Sequence, residues 1–220
     1  MQIKFSYFEI SFLTLYPAAL SAFVRYKQLK YYFQVVMLPK VGLTTTSTVS
    51  TDEQIALIRR LNNANFGSLI LAFFGVFGAS LVANFRSSEW VWVHTKGAFF
   101  IFFGIYGYAW IMVWMSKKVA EETGLETKPV SMAVFLVIGT VAYVVCMVAL
   151  VVSIIVCCNL KEFLAAMLRL TWRSKSPGYW WHVVSAGTEW VVFLAIALVL
   201  FSLANRMRLF KSWGSVRFSV

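Results

Sequence analysis

From Val130 to Val156 the chain runs 27 residues without one charged side chain. As a helix rising about 1.5 Å per residue, such a run is roughly 40 Å long, more than the ~30 Å hydrocarbon core of a bilayer. No core built from 220 residues could cover it on every side. Three further runs share its character, at 66–85, 97–115 and 183–203, and a fourth, 5–24, is broken by Pro17, which a membrane helix tolerates as a kink. The first run is not a cleaved signal: Lys4 alone precedes it, whereas Arg25, Lys27 and Lys30 follow. The fold class is therefore all-α. Residues 1–220 are expected to form a single multi-pass transmembrane helical bundle with about five spanning helices.

Composition agrees and excludes other classes. Hydrophobic residues make up 60% of the chain and charged ones 13%, against roughly 25% charged in an ordinary globular domain. The net charge of +11 is spread between the apolar runs, whereas a nucleic-acid-binding face needs its Lys and Arg on one stripe. Cys146, Cys157 and Cys158 offer neither an even-numbered framework nor a CxxC spacing. No G-x-S-x-G, HExxH or P-loop pattern occurs. The reading is of a protein that is not an enzyme and needs no cofactor or metal.

The polar segments set the orientation. Residues 25–64 are expected to be a flexible loop with a Thr/Ser tract at 44–51, ending in a capping box, Thr51-Asp52-Glu53-Gln54, that opens a short amphipathic helix. Residues 159–181 read as an interfacial helix followed by an aromatic belt, Tyr179, Trp180 and Trp181. Thirteen of the 20 basic residues fall in 25–64, 116–129 and the tail after Leu203; seven fall on the other side. The richer side is expected to be cytoplasmic, with the N-terminus outside and the C-terminus inside. The cytoplasmic loop and tail would then meet protein partners, and Tyr32-Phe33-Gln34-Val35 fits the loose tyrosine-based sorting pattern.

Ionisable and polar groups within spans are the default functional suspects, because each is costly to place in hydrocarbon. Asn84, His94, His182, Ser185 and Glu189 are the candidates. His182 and Glu189 share a helical face but stand roughly 10 Å apart along it, too far to bond directly. His94 and His182 are expected at the outer ends of their helices, where with Glu89 they could approach one another, though two histidines are a weak metal signal. Glu189, two turns into an apolar helix, is expected to face the bundle and bond Asn84 or Ser185. Gly75, Ala79 and Ala83 form a small-residue face for close helix approach.

The stretch His182-Val183-Val184-Ser185-Ala186-Gly187-Thr188-Glu189-Trp190 resembles a signature of the damage-regulated autophagy modulator (DRAM) family and its Sfk and Frag relatives. In the same order, Gly75-Val76-Phe77-Gly78 with Val82-Ala83-Asn84-Phe85, His94 with Gly97-Ala98, and Arg25-Tyr26-Lys27 are similar to the end of that family's third helix, the start of its fourth and the basic exit from its second. The resemblance implies six helices with both termini cytoplasmic. This sequence starts at the second of them, which implies a five-helix member or a start codon placed too late. It also implies a membrane regulator: DRAM-like members act at lysosomes in autophagy, Sfk-like members assist a phosphatidylinositol 4-kinase complex at the plasma membrane, and Frag-like members serve in remodelling GPI-anchor lipids. Two readings follow. One is a non-enzymatic regulator in a lysosomal, other endomembrane or plasma membrane. The other is a lipid-handling protein using the polar residues within the bundle. A channel is a poorer fit, since one acid and no repeated polar face give little to line a pore.

The orientation is testable by cysteine labelling in intact cells. A cysteine at Thr46 should be shielded from a membrane-impermeant reagent, and one at Ser174 should react; the reverse pattern would overturn the assignment.

Overall fold

The computed structural model describes residues 3–38, 51–86, 89–157 and 174–216, with the side chains of 3–16 and of Thr51 left aside. Among these residues every regular element is helical: α1 (Ile3–Tyr31), α2 (Thr51–Asn84), α3 (Val91–Thr123), α4 (Val130–Val156) and α5 (Tyr179–Arg208). A π-helical turn, Tyr32–Met37, continues α1, and a short 3-10 turn, Trp213–Ser215, follows α5. Helices α2 to α5 are each long and apolar enough to cross a bilayer, and the run at 5–24 lies within the 29 residues of α1. The all-helical membrane bundle is as the apolar runs require.

The helices are longer than the runs that announced them. α2 has 34 residues and α3 has 33, or about 50 Å each at 1.5 Å per residue, so both project beyond a ~30 Å hydrocarbon core. The expected flexible loop at 25–64 is largely helix: α1 and its π turn occupy it to residue 38, and α2 begins at Thr51 without a break before the span. Polarity there marks emergence from the bilayer, not loss of helix. The Thr/Ser tract lies outside the described residues, apart from Thr51. So does most of the expected interfacial helix at 159–181; the aromatic residues at its end, Tyr179 to Trp181, form the first turn of α5. Gly178 precedes that turn with φ 74°, and a Cβ there would come within 2.7 Å of the Ser153 carbonyl oxygen. Ser153 Oγ donates to the Gly178 carbonyl (2.9 Å) and Cys157 Sγ to that of Pro177 (3.1 Å), fastening the entry of α5 to the end of α4.

Packing divides the bundle into pairs. α2 lies against α3 and α4 against α5, α1 rests on α2, and the two pairs touch each other more sparsely. The α2–α3 seam is made of glycine. A Cβ on Gly104 would lie 2.6 Å from the Leu71 carbonyl oxygen, one on Gly75 would lie 2.6 Å from Ile105, and one on Gly78 would lie 2.6 Å from the Gly97 carbonyl oxygen. Backbones so close gain dispersion contacts that larger residues would forbid. The expected face was Gly75, Ala79 and Ala83. Gly75 does lie in the seam, but Ala83 is exposed, and the seam continues through Gly78 because i+3 steps keep facing α3.

The most deeply buried apolar side chains gather at the basic-rich end, among them Leu29, Phe33, Leu61, Met115, Val119 and Met132. A smaller cluster, Ala142, Val192 and Ile196, joins the pairs further along. Outward faces stay apolar, as Val134, Val141, Val148 and Ile155 on α4 show, which suits a lipid solvent and no aqueous one.

Gly104→Leu should destabilise the bundle by at least about 1–3 kcal/mol through overpacking, read as a lower unfolding temperature in detergent. Gly67→Ala, where a Cβ meets nothing within 4 Å, is the control and should leave stability unchanged or raise it. Equal behaviour of the two would show that the seam is not set by glycine.

Candidate functional site

At the end of the bundle away from the basic-rich one, the predicted polar residues are held one by one. His94 Nδ1 bonds the Phe85 carbonyl oxygen at 2.8 Å, closing the α2–α3 connection. Asn84 is exposed, and its amide donates to the Ser80 carbonyl (2.8 Å) and hydroxyl (3.4 Å), one turn back on its own helix. Ser185 is buried with its Oγ 3.4 Å from Cys146 Sγ, bridging α4 and α5. His182 is half-buried in the first turn of α5. Glu189 corrects the expectation: it is exposed, and neither proposed partner is bonded to it, since Asn84 turns to Ser80 and Ser185 to Cys146. Helical phase is not the reason: Glu189 stands four residues after Ser185 and three before Val192, on the side of α5 that those buried residues occupy, and the sparse contact between the two helix pairs leaves it uncovered. Of the predicted set only His94 comes within electrostatic reach of the Glu189 carboxylate. Among the described residues no three His, Cys, Asp or Glu converge as a metal site.

The opposite end holds a cluster that the sequence did not disclose. Arg25 is fully buried. Its Nη1 donates to Glu126 Oε1 (2.8 Å) and Gln28 Oε1 (2.7 Å), and its Nη2 to Ser116 Oγ (2.8 Å) and Glu126 Oε2 (3.2 Å). Glu126, in the α3–α4 connection, also accepts from Arg206 Nη1 of α5 at 3.0 Å, while Arg206 Nη2 donates to the Thr127 carbonyl at 2.6 Å. One carboxylate thus holds two guanidinium groups, the Arg25 contact being the fork-to-fork form that favours Arg over Lys. Next to it, Asn65 of α2 donates to the Tyr26 carbonyl at 2.9 Å. The one hint in the sequence was Arg25 in the triplet Arg25-Tyr26-Lys27. Nothing there paired it with an acid 101 positions away.

Tyr32 stands one helical turn beyond Gln28 and is buried, as is Phe33. Burial, and then the negative charge of Glu126, push the Tyr32 phenol up to about 12, so it stays protonated at physiological pH. The tyrosine-based sorting pattern that begins at Tyr32 is thus helical, with its tyrosine buried and Gln34 and Val35 exposed. The tail is anchored here as well: Phe210 packs edge-on against Tyr32 (5.3 Å between centroids), Tyr31 (5.7 Å) and Trp213 (4.8 Å).

Comparison with known proteins covers most of the chain. Residues 8–205 match the family model described as the Frag1/DRAM/Sfk1/Cwh43P N-terminal domain. Over 129 residues the chain is 32% identical to DNA damage-regulated autophagy modulator protein 1 of Homo sapiens, and 33% identical to the Mus musculus protein of that name. Each alignment takes in 58% of this chain and 49% of the relative, so the chain spans about half the length of the curated relatives it matches. No solved structure matches it.

Glu126→Gln would leave two buried guanidinium groups without a counter-charge and should lower stability by about 3–5 kcal/mol. Arg206→Gln leaves the Arg25–Glu126 pair neutral and should cost less. Thermal unfolding of both variants in detergent checks that order, and equal losses would show that the charge balance is not what matters.

Proposed function

This chain belongs to the Frag1/DRAM/Sfk1/Cwh43P family, and we propose that within it the chain is a non-enzymatic membrane regulator that promotes autophagy. The observation that carries this reading is the 129-residue similarity to proteins named as autophagy modulators. The architecture is compatible with it. Three parts of the chain are clamped at the basic-rich end, giving a rigid platform from which the connection at 39–50 and the end of the tail can meet cytoplasmic proteins. The predicted polar residues are taken up largely in local bonds and do not assemble a nucleophile, a base and an orienting group. A lysosomal, other endomembrane or plasma-membrane location fits equally, and the bilayer itself is the first partner.

A second reading, lipid handling, is favoured by one observation: Glu189 is exposed on a membrane-spanning helix with His94 in electrostatic reach. An acid on such a face costs a few kcal/mol unless something meets it.

Expression of the tagged full-length chain should raise lysosome-dependent turnover of an autophagosome marker, and unchanged turnover would overturn the autophagy reading. Glu189→Gln should retain that effect in proportion to its abundance. A stable, correctly located but inactive Gln variant would favour lipid handling.

A further inference from the structure

The cluster at the basic-rich end has more positive charge and more donors than it uses. Glu126 supplies one negative charge to two arginines. Arg25 Nε–H is a buried donor that finds no acceptor among the described residues. The unmet acceptor nearby, Asn65 Oδ1, belongs to the α1–α2 seam, where its amide nitrogen is committed to Tyr26. Arg206 uses two of its five N–H groups, on Glu126 and Thr127, and keeps three. What such a surplus lacks is an anion.

Space for one lies alongside. A pocket of about 80 Å³, open on one side, is lined by Tyr32, Glu126, Thr127 and Arg206 and flanked by Leu125 and Leu209. Tyr32 brings a phenol that keeps its proton, and Arg206 brings its spare donors. The flanks differ in kind: Leu125 is 61% and Leu209 63% exposed. Two bare leucines beside a cationic floor, where the helices leave the hydrocarbon, suit a molecule with a charged head and an apolar body. Free phosphate would use the floor and gain nothing from the leucines.

We propose that this pocket binds an anionic phospholipid of the adjacent leaflet by its phosphate, with Arg206 and Tyr32 donating to the phosphate oxygens and Leu125 and Leu209 lying along the acyl-glycerol. Glu126 is the positioning residue: it holds Arg206 against the pocket while leaving the floor one positive charge in excess. The lipid would stabilise the joint between α1, the α3–α4 connection and α5 by mass action, whatever the protein does in autophagy.

The test uses the purified full-length chain in detergent, with dioctanoyl phosphatidic acid, dioctanoyl phosphatidylcholine and inorganic phosphate as separate probes, followed by calorimetry and unfolding temperature. Phosphatidic acid should bind saturably and raise the unfolding temperature, with the other two probes at least about tenfold weaker. Tyr32→Phe leaves the three-charge cluster in place, so it should fold as the parent does and bind phosphatidic acid about five- to tenfold more weakly. Arg206→Gln should lose at least about tenfold. Equal binding of phosphatidylcholine would remove the role of net charge. Inorganic phosphate binding as tightly as the lipid would make this a free-anion site and overturn the lipid assignment. Unchanged affinity in Tyr32→Phe, or no saturable binding at all, would overturn the pocket. None of these outcomes depends on autophagic turnover, so the two readings fail separately.

Discussion

Glu126 cannot be satisfied by its own segment, and much of the tertiary arrangement follows from that. Its carboxylate sits in a short connection between two long apolar helices, 6% exposed, with a fully buried guanidinium forked across both oxygens and a nearly buried one sharing Oε2. Each of these ions is costly to desolvate, and each becomes tolerable only because the others are in place. The contacts span 101 and 80 positions of sequence, so the cluster forms only when α1, the α3–α4 connection and α5 have already met. Its depth matters too. At the end of the bundle, close to headgroups and water, the desolvation cost is lower than it would be halfway along the spans.

The glycine seam and the ion cluster do complementary work. In a bilayer the hydrophobic effect does not draw one apolar helix to another, so association rests on close packing and on polar bonds. The seam through Gly75, Gly78, Gly97 and Gly104 provides close packing within one pair, and Ser153, Cys157 and Ser185 tie the other pair together. Between the pairs, the described contacts are sparser. What joins them most firmly is the buried core at the basic-rich end with the Arg25–Glu126–Arg206 cluster beside it. The other halves are joined by less, which leaves Glu189 uncovered on α5.

That asymmetry bears on function. At the end away from the basic-rich one, His94, Asn84 and Ser185 each bond a near neighbour or the facing helix, an economy that fits structural residues better than a reaction centre. At the basic-rich end the polar groups are linked across three segments and retain unspent donors next to an open pocket. If either end reads the state of the membrane, the basic-rich one has the chemistry for it. A ligand there would act on the joint that holds the pairs together.

The sequence by itself determined the all-helical membrane bundle, because a bilayer admits few other solutions for apolar runs of this length. It also disclosed the family, through short motifs that keep their order, and one member of the glycine seam. It could not give every helix end, since polarity changes where a helix leaves the bilayer whether or not the helix stops; residues 25–38 were therefore expected as loop and are helix, whereas the capping box at Thr51 did mark a helix start. It misjudged Glu189 and missed Arg25 for one shared reason. Burial of a charge is decided by what another part of the chain brings to meet it, and that is not written next to the residue. Only the tertiary structure could place Glu126 between two arginines far away in sequence, and turn Glu189 away from the bonds that Asn84 and Ser185 make elsewhere.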